Sequence, residues 1–143
     1  MQRRNLNHLA LAWALSAWTP ARPAEVKARR PVGPAWQMDP FALGVASGQP
    51  RSDSVVLWTR LLFAPSDAAH QAQAQTVLCE LFADESLRQP LRQWQVQTDA
   101  RRAHSVHVLA EGLQPGRPYW YRFVCGSAHS TVGRTPPTPP PDA

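Results

Sequence analysis

Gly112-Leu113-Gln114-Pro115-Gly116-Arg117-Pro118-Tyr119-Trp120-Tyr121-Arg122-Phe123 is the stretch that decides the fold. Pro115-Gly116 is a turn pair, because Pro presets φ and Gly accepts positive φ without a steric cost. After the turn, Tyr119, Tyr121 and Phe123 share one strand face, and Trp120 and Arg122 share the other. Leu113, Pro115, Gly116 and Tyr119 fill the pattern of a tyrosine corner. In that device a Tyr at the start of a late strand bonds back to the chain a few residues upstream and locks a sandwich corner.

Working outward, short strands come at close spacing. The sequence predicts them at Phe41–Val45, Ser54–Leu62, Thr76–Ala83, Leu91–Thr98, His104–Ala110, Tyr119–Val124 and His129–Arg134. Ala64–Gln75 and Asp84–Pro90 read as loops, the second with room for one helical turn. Seven short strands punctuated by turn residues predict an all-β chain, an immunoglobulin/fibronectin type III-like Greek-key β-sandwich. A small barrel is the alternative, and the tyrosine corner favours the sandwich. The expected core is Leu43, Val45, Val56, Trp58, Leu81, Trp94, Val106, Val108, Leu113, Tyr119, Tyr121 and Phe123.

The flanks read differently. Arg3-Arg4 followed by the uncharged run Leu9–Trp18 reads as an export signal over residues 1–24; the run is too short to span a bilayer. The adjacent arginines resemble a twin-arginine signal, although Leu6-Asn7-His8 replaces the usual Phe-Leu-Lys continuation. Residues 25–38 are basic and Pro-containing, a linker; 39–135 form the domain; 136–143 are a Pro-rich tail. The net charge of +5 resides in the leader, where six basic residues meet one acid before position 35. The remainder balances nine basic against nine acidic residues and lacks the electrostatic footprint of a nucleic-acid binder. Beyond the export signal, no membrane association is expected.

Chemistry is sparse. The sequence holds no nucleophile elbow, no phosphate-binding Gly-rich loop and no His-Glu-x-x-His. His104 and His107, three apart on a strand, fall on opposite faces and read as solvated or edge residues rather than a metal pair. Asp84 and Glu85 read as turn residues, and Arg101-Arg102 as a solvated loop. No catalytic, cofactor-binding or metal-ligating residue is assigned. Cys79 and Cys125 each fall on the core face of a strand. A disulfide between them and two buried free thiols both remain open. Trp58 and Trp94 read as core; Trp120, opposite in parity to the tyrosines, is the candidate for a domain interface.

Together these segments resemble the N-terminal domain of PhoD-like alkaline phosphatases. The carriers are Phe41-Ala-Leu-Gly-Val-Ala-Ser-Gly-Gln-Pro50, Asp53-Ser-Val-Val-Leu-Trp-Thr-Arg60, His104-Ser-Val-His-Val108, the Gly112–Phe123 stretch and Val132-Gly-Arg-Thr135. Gln49 departs from the usual Asp, and Cys79 stands where the family often has an aromatic residue. The resemblance covers residues 39–135. It implies an exported, periplasmic or extracellular hydrolase of phosphate monoesters and diesters with a calcium–iron site. That site belongs to a metallophosphoesterase domain following this one, normally in the same polypeptide, so none of its ligands is carried over. The expectation is a non-catalytic accessory domain, a fragment or truncated product. A phosphate-ester hydrolase in its own right, and a free-standing carbohydrate- or protein-binding sandwich, are the alternatives.

Overall fold

The first strand forms later than its apolar residues suggest. In the computed structural model, which describes residues 36–139, Asp39 organises a turn in place of a strand at Phe41. Its Oδ1 accepts from Phe41 N, and Ala42 N and Gly44 N close onto Asp39 O and Phe41 O. Gly44 then turns the chain at φ +76°, a conformation costly for a residue with a Cβ. Phe41 enters the core as a turn residue, and Leu43 is left 50% exposed.

Eight strands follow: β1 Val45–Gly48, β2 Val55–Arg60, β3 Gln75–Phe82, β4 Pro90–Thr98, β5 Ser105–Ala110, β6 Tyr119–Cys125, β7 Ala128–His129 and β8 Gly133–Thr135. A short helix α1, Ala68–Ala72, and a 3-10 turn, Ala100–Arg102, lie between strands. Asp67 caps α1 and Asp99 caps the 3-10 turn. All the strand pairs are antiparallel: β1-β2-β5 form one sheet, β4-β3-β6-β7 the other, with β8 also on β6. The chain crosses between sheets after β2, after β4 and again after β5, which is the Greek-key path of the fibronectin type III-like sandwich.

β7 and β8 are two halves of the predicted seventh strand. Ser130 parts them: its hydroxyl accepts from Phe123 N, and its own N–H donates to Phe123 O. The side chain thus takes a ladder position and the segment loses strand geometry for three residues.

The core lies between the sheets and contains Val55, Leu57, Val77, Leu81, Val106, Val108, Leu113, Tyr119, Tyr121 and Phe123. Besides the exposed Leu43, two expected core residues are not there. Val56 and Trp58 face outward, while Val55, Leu57 and Thr59 are buried. The Thr59 hydroxyl donates to Gly44 O at 2.9 Å, which satisfies the buried polar atom and makes the Thr face an acceptable core face. Val45 and Trp94 pack against the core from its margin.

Packing runs past both ends of the 39–135 interval. Trp36 donates from Nε1 to Cys125 O at 3.0 Å, and Pro137 is fully buried. The predicted leader 1–24, the linker up to 35 and the tail beyond 139 lie outside the described residues.

Candidate functional site

The opening turn builds the corner that its residues predict. Gly116 holds φ +67°, and the Tyr119 hydroxyl accepts from Gln114 N at 2.8 Å. Leu113 N donates to Asp53 O, fastening the turn to the start of β2. Tyr119 is buried with its ring beneath the Arg117 guanidinium, 5.7 Å from the centroid. Pro115 completes the turn. This corner is structural: nothing about it offers a reacting group.

Trp120 lies on the outer face of the larger sheet, half-buried. Register sets Phe82, Trp120 and Arg134 in one row and Gln93, Glu80 and Arg122 in the next. The Arg134 guanidinium sits 5.9 Å from the Trp120 ring, and Arg122 sits 5.5 Å from the Phe82 ring. Arg122 Nε also donates to Glu80 Oε2 at 2.6 Å, and Gln93 Nε2 donates to Glu80 Oε1. The aromatic rings of this face are therefore roofed by arginines of the same face, Arg122 being held by Glu80.

The smaller sheet presents the opposite picture. Its outer face carries Ala46, Val56, Trp58, His107 and Leu109, with Leu109 53% exposed. Trp58 and His107 stand ring to ring at 6.2 Å. The sequence pattern places Val56 and Trp58 in the core, whereas the structure turns them onto this face. The signal that reveals it is the run Val55-Val56-Leu57-Trp58, apolar at both parities.

Neither cysteine is bonded. Cys79 and Cys125 are buried free thiols on neighbouring strands β3 and β6. Burial, with the Glu80 charge adding to it, pushes the Cys79 thiol up to about 12, and burial pushes Cys125 up to about 11. Neutral thiols of this kind are poor nucleophiles.

The histidines part company as their spacing requires, but His104 is not solvated. It is buried at φ +53°, its Nε2 donating to Gln71 O and its ring edge-on to Phe63 at 4.7 Å. With Trp36, Phe63 and His70 it seats α1, a helix where the sequence predicts a loop. His70 Nδ1 bonds Asp67 Oδ1 at 2.6 Å. Asp84 accepts from Arg88 N and Gln89 N and from the Ser86 hydroxyl, so it shapes its loop; the Ser86 bond leads in drawing its carboxyl below the usual range. Among the described residues no group of three or more His, Cys, Asp or Glu is placed to hold a metal.

Comparison with known proteins agrees with this layout. The family described as PhoD-like phosphatase, N-terminal domain, matches over residues 18–139. Alkaline phosphatase D of Bacillus subtilis (strain 168) is 46% identical over 111 residues, which is 77% of this chain and 19% of that protein. The solved structure of PhoD superposes with a TM-score of 0.70 at 46% identity, covering 78% of this chain and 22% of that one. The sensor domain of the anti-sigma factor RsgI4 in Pseudobacteroides cellulosolvens superposes at 0.51 with 5% identity, covering 68% of this chain and 93% of that one; it shares the fold alone. The chain spans about one fifth of the length of the phosphatase relatives it matches. With the family matched across all the described residues, and the corner and sheet order in place, the chain belongs to the PhoD-like phosphatase family, as its N-terminal domain.

Proposed function

We propose that this sandwich is the non-catalytic accessory unit of an exported PhoD-type alkaline phosphatase or phosphodiesterase. The observation that carries the reading is its correspondence, at 46% identity, to a one-fifth segment of alkaline phosphatase D. Calcium and iron, which the resemblance implies for the catalytic domain, do not fit the side chains here: no metal-holding group exists among the described residues. The chemistry would belong to a metallophosphoesterase domain elsewhere in the same polypeptide. The present unit would supply a rigid wall beside it. Its rigidity has a physical basis in the buried corner at Tyr119 and the fastened turn at Leu113. The leader read at residues 1–24 supports export to the periplasm or beyond.

A chimera tests this. Residues 18–139 replace the matching segment of the Bacillus subtilis phosphatase, and kcat against pH is measured with p-nitrophenyl phosphate. An accessory unit leaves the limbs of the profile where the parent has them, because no titrating group of the reaction has been exchanged. A displaced or missing limb places a reacting group in the exchanged segment and overturns the reading.

A further inference from the structure

Strand β2 is apolar on both sides. Val55 and Leu57 enter the core, and Val56 and Trp58 point away from it. A strand with one wet face alternates apolar and polar residues, whereas a continuous apolar run marks a strand covered on both faces. Register extends the outer face across the sheet: Gly48, Val56 and Leu109 form one row, and Ala46, Trp58 and His107 the next. The one charged side chain that the register places on this face is Arg60, at its far end, where its Nε donates to Ala103 O. The contrast with the larger sheet is chemical. There Trp120 and Phe82 are roofed by Arg134 and Arg122, and Glu80 is satisfied by Arg122 and Gln93. Here Leu109 stands 53% exposed beside the half-buried Val56 and Trp58, and no arginine stacks on this face among the described residues. Clustered exposed apolar side chains of this kind mark interaction sites.

The route of the chain bears on the occupant. Past β8, Pro136–Pro139 pack against the edge of β1, and Ser47, Gly48, Pro50 and Val55 line the same groove. Thr138 N donates to Arg51 O at 3.0 Å, and Pro137 is fully buried. Gly48, in that groove, is the row-mate of Val56 and Leu109. The polypeptide therefore passes across the β1 edge beside the apolar rows. Most of the length of alkaline phosphatase D lies outside the matched segment. Resting on the accessory-unit reading above, we propose that the outer face of β1-β2-β5, centred on Val56, Trp58 and Leu109, is the surface on which the downstream phosphatase domain docks. The Trp120 face stays in water.

Hydroxyl-radical footprinting read by mass spectrometry tests the assignment. The isolated chain is compared with the chimera carrying residues 18–139. Oxidation of Trp58 and Leu109 falls several-fold in the chimera, and oxidation of Trp120 is unchanged. Leu109→Asp in the chimera restores the oxidation of Trp58, while the same change leaves the urea midpoint of the isolated chain in place because Leu109 is already half in water. The parental phosphatase, footprinted at the positions that superpose on 56, 58 and 109, gives the same protection without any exchange of segments. Protection of Trp120 in place of Trp58, or equal oxidation of Trp58 in isolated chain and chimera, overturns the proposal. If the chimera keeps the parental pH profile while Trp58 remains open, this assignment fails and the accessory reading stands.

Discussion

Gly133→Ala tests the closure of the sandwich where β8 meets β6. Gly133 faces Tyr121 in register, and a Cβ built on it would lie 2.3 Å from Tyr121 Cζ and 2.6 Å from both Cε1 and Oη. Carbon atoms pack at about 3.5–4.0 Å, so more than an ångström must be recovered. The Tyr121 ring cannot supply it, because it is 2% exposed and stands edge-on to Phe123 at 6.1 Å. The strand must give instead, which loosens the pairs Tyr119 with Thr135 and Trp120 with Arg134. Overpacking of this kind costs about 1–3 kcal/mol. One or two lost ladder bonds add about 1 kcal/mol each. A total near 3–4 kcal/mol is a large part of the stability of a small domain. With a urea slope of about 2 kcal/mol/M, the midpoint falls by roughly 1.5–2 M at unchanged slope, read from tryptophan fluorescence. The control is the same change in a Tyr121→Leu background. Removing the ring removes the obstacle, so Gly133→Ala there costs under about 1 kcal/mol. An equal cost in both backgrounds, or a shift of less than about 0.5 kcal/mol in the native one, would refute the steric reasoning.

Two further outcomes follow from the core. Tyr119→Phe removes the acceptor of Gln114 N and lowers stability by about 1 kcal/mol, the lower end of the range because Gln114 itself is exposed; an unchanged urea midpoint would remove the corner from the account. The two thiols resist a disulfide-exchange reagent at pH 8 and react once urea unfolds the chain. The same burial gives a pH dependence with a definite sign. Unfolded thiols ionise near 9.0, whereas the folded ones hold their protons to about 12 and about 11. The folded state therefore binds more protons in that window. This contribution to stability is constant below about pH 9 and is lost as the pH rises towards 11–12, so Cys79→Ala flattens the alkaline fall in urea midpoint.

How much of this was legible depended on how many readings each residue allowed. Tyr119, Tyr121 and Phe123 followed a sharp turn and alternated with Trp120 and Arg122, so one face was unambiguous. The run Val55–Trp58 was ambiguous because both parities are apolar, and a one-residue shift exchanges the faces. Burial of Thr59 decided it, through a hydroxyl bond to Gly44 O that no local pattern announces. Phe41–Leu43 had strand composition but was claimed by a turn around Asp39. His104 looked like a polar strand residue; it is buried by Phe63 and α1, both distant in sequence. Proline at 136 and 137 signalled the end of the sheet correctly, yet composition could not foresee that Pro137 would be buried. The proposed docking face differs from the Trp120 candidate for the same reason. Trp120 was visible as the odd parity of an aromatic strand, whereas the Trp58 face appears once β1 and β5 are set beside β2.

The most direct measurement is turnover by the chain alone. The purified protein, supplied with calcium and iron, is incubated with p-nitrophenyl phosphate and bis-p-nitrophenyl phosphate. The account predicts no release of p-nitrophenol above the metal-only rate, because no metal-holding group exists among the described residues. Release that follows protein concentration and is abolished by a chelator would contradict it.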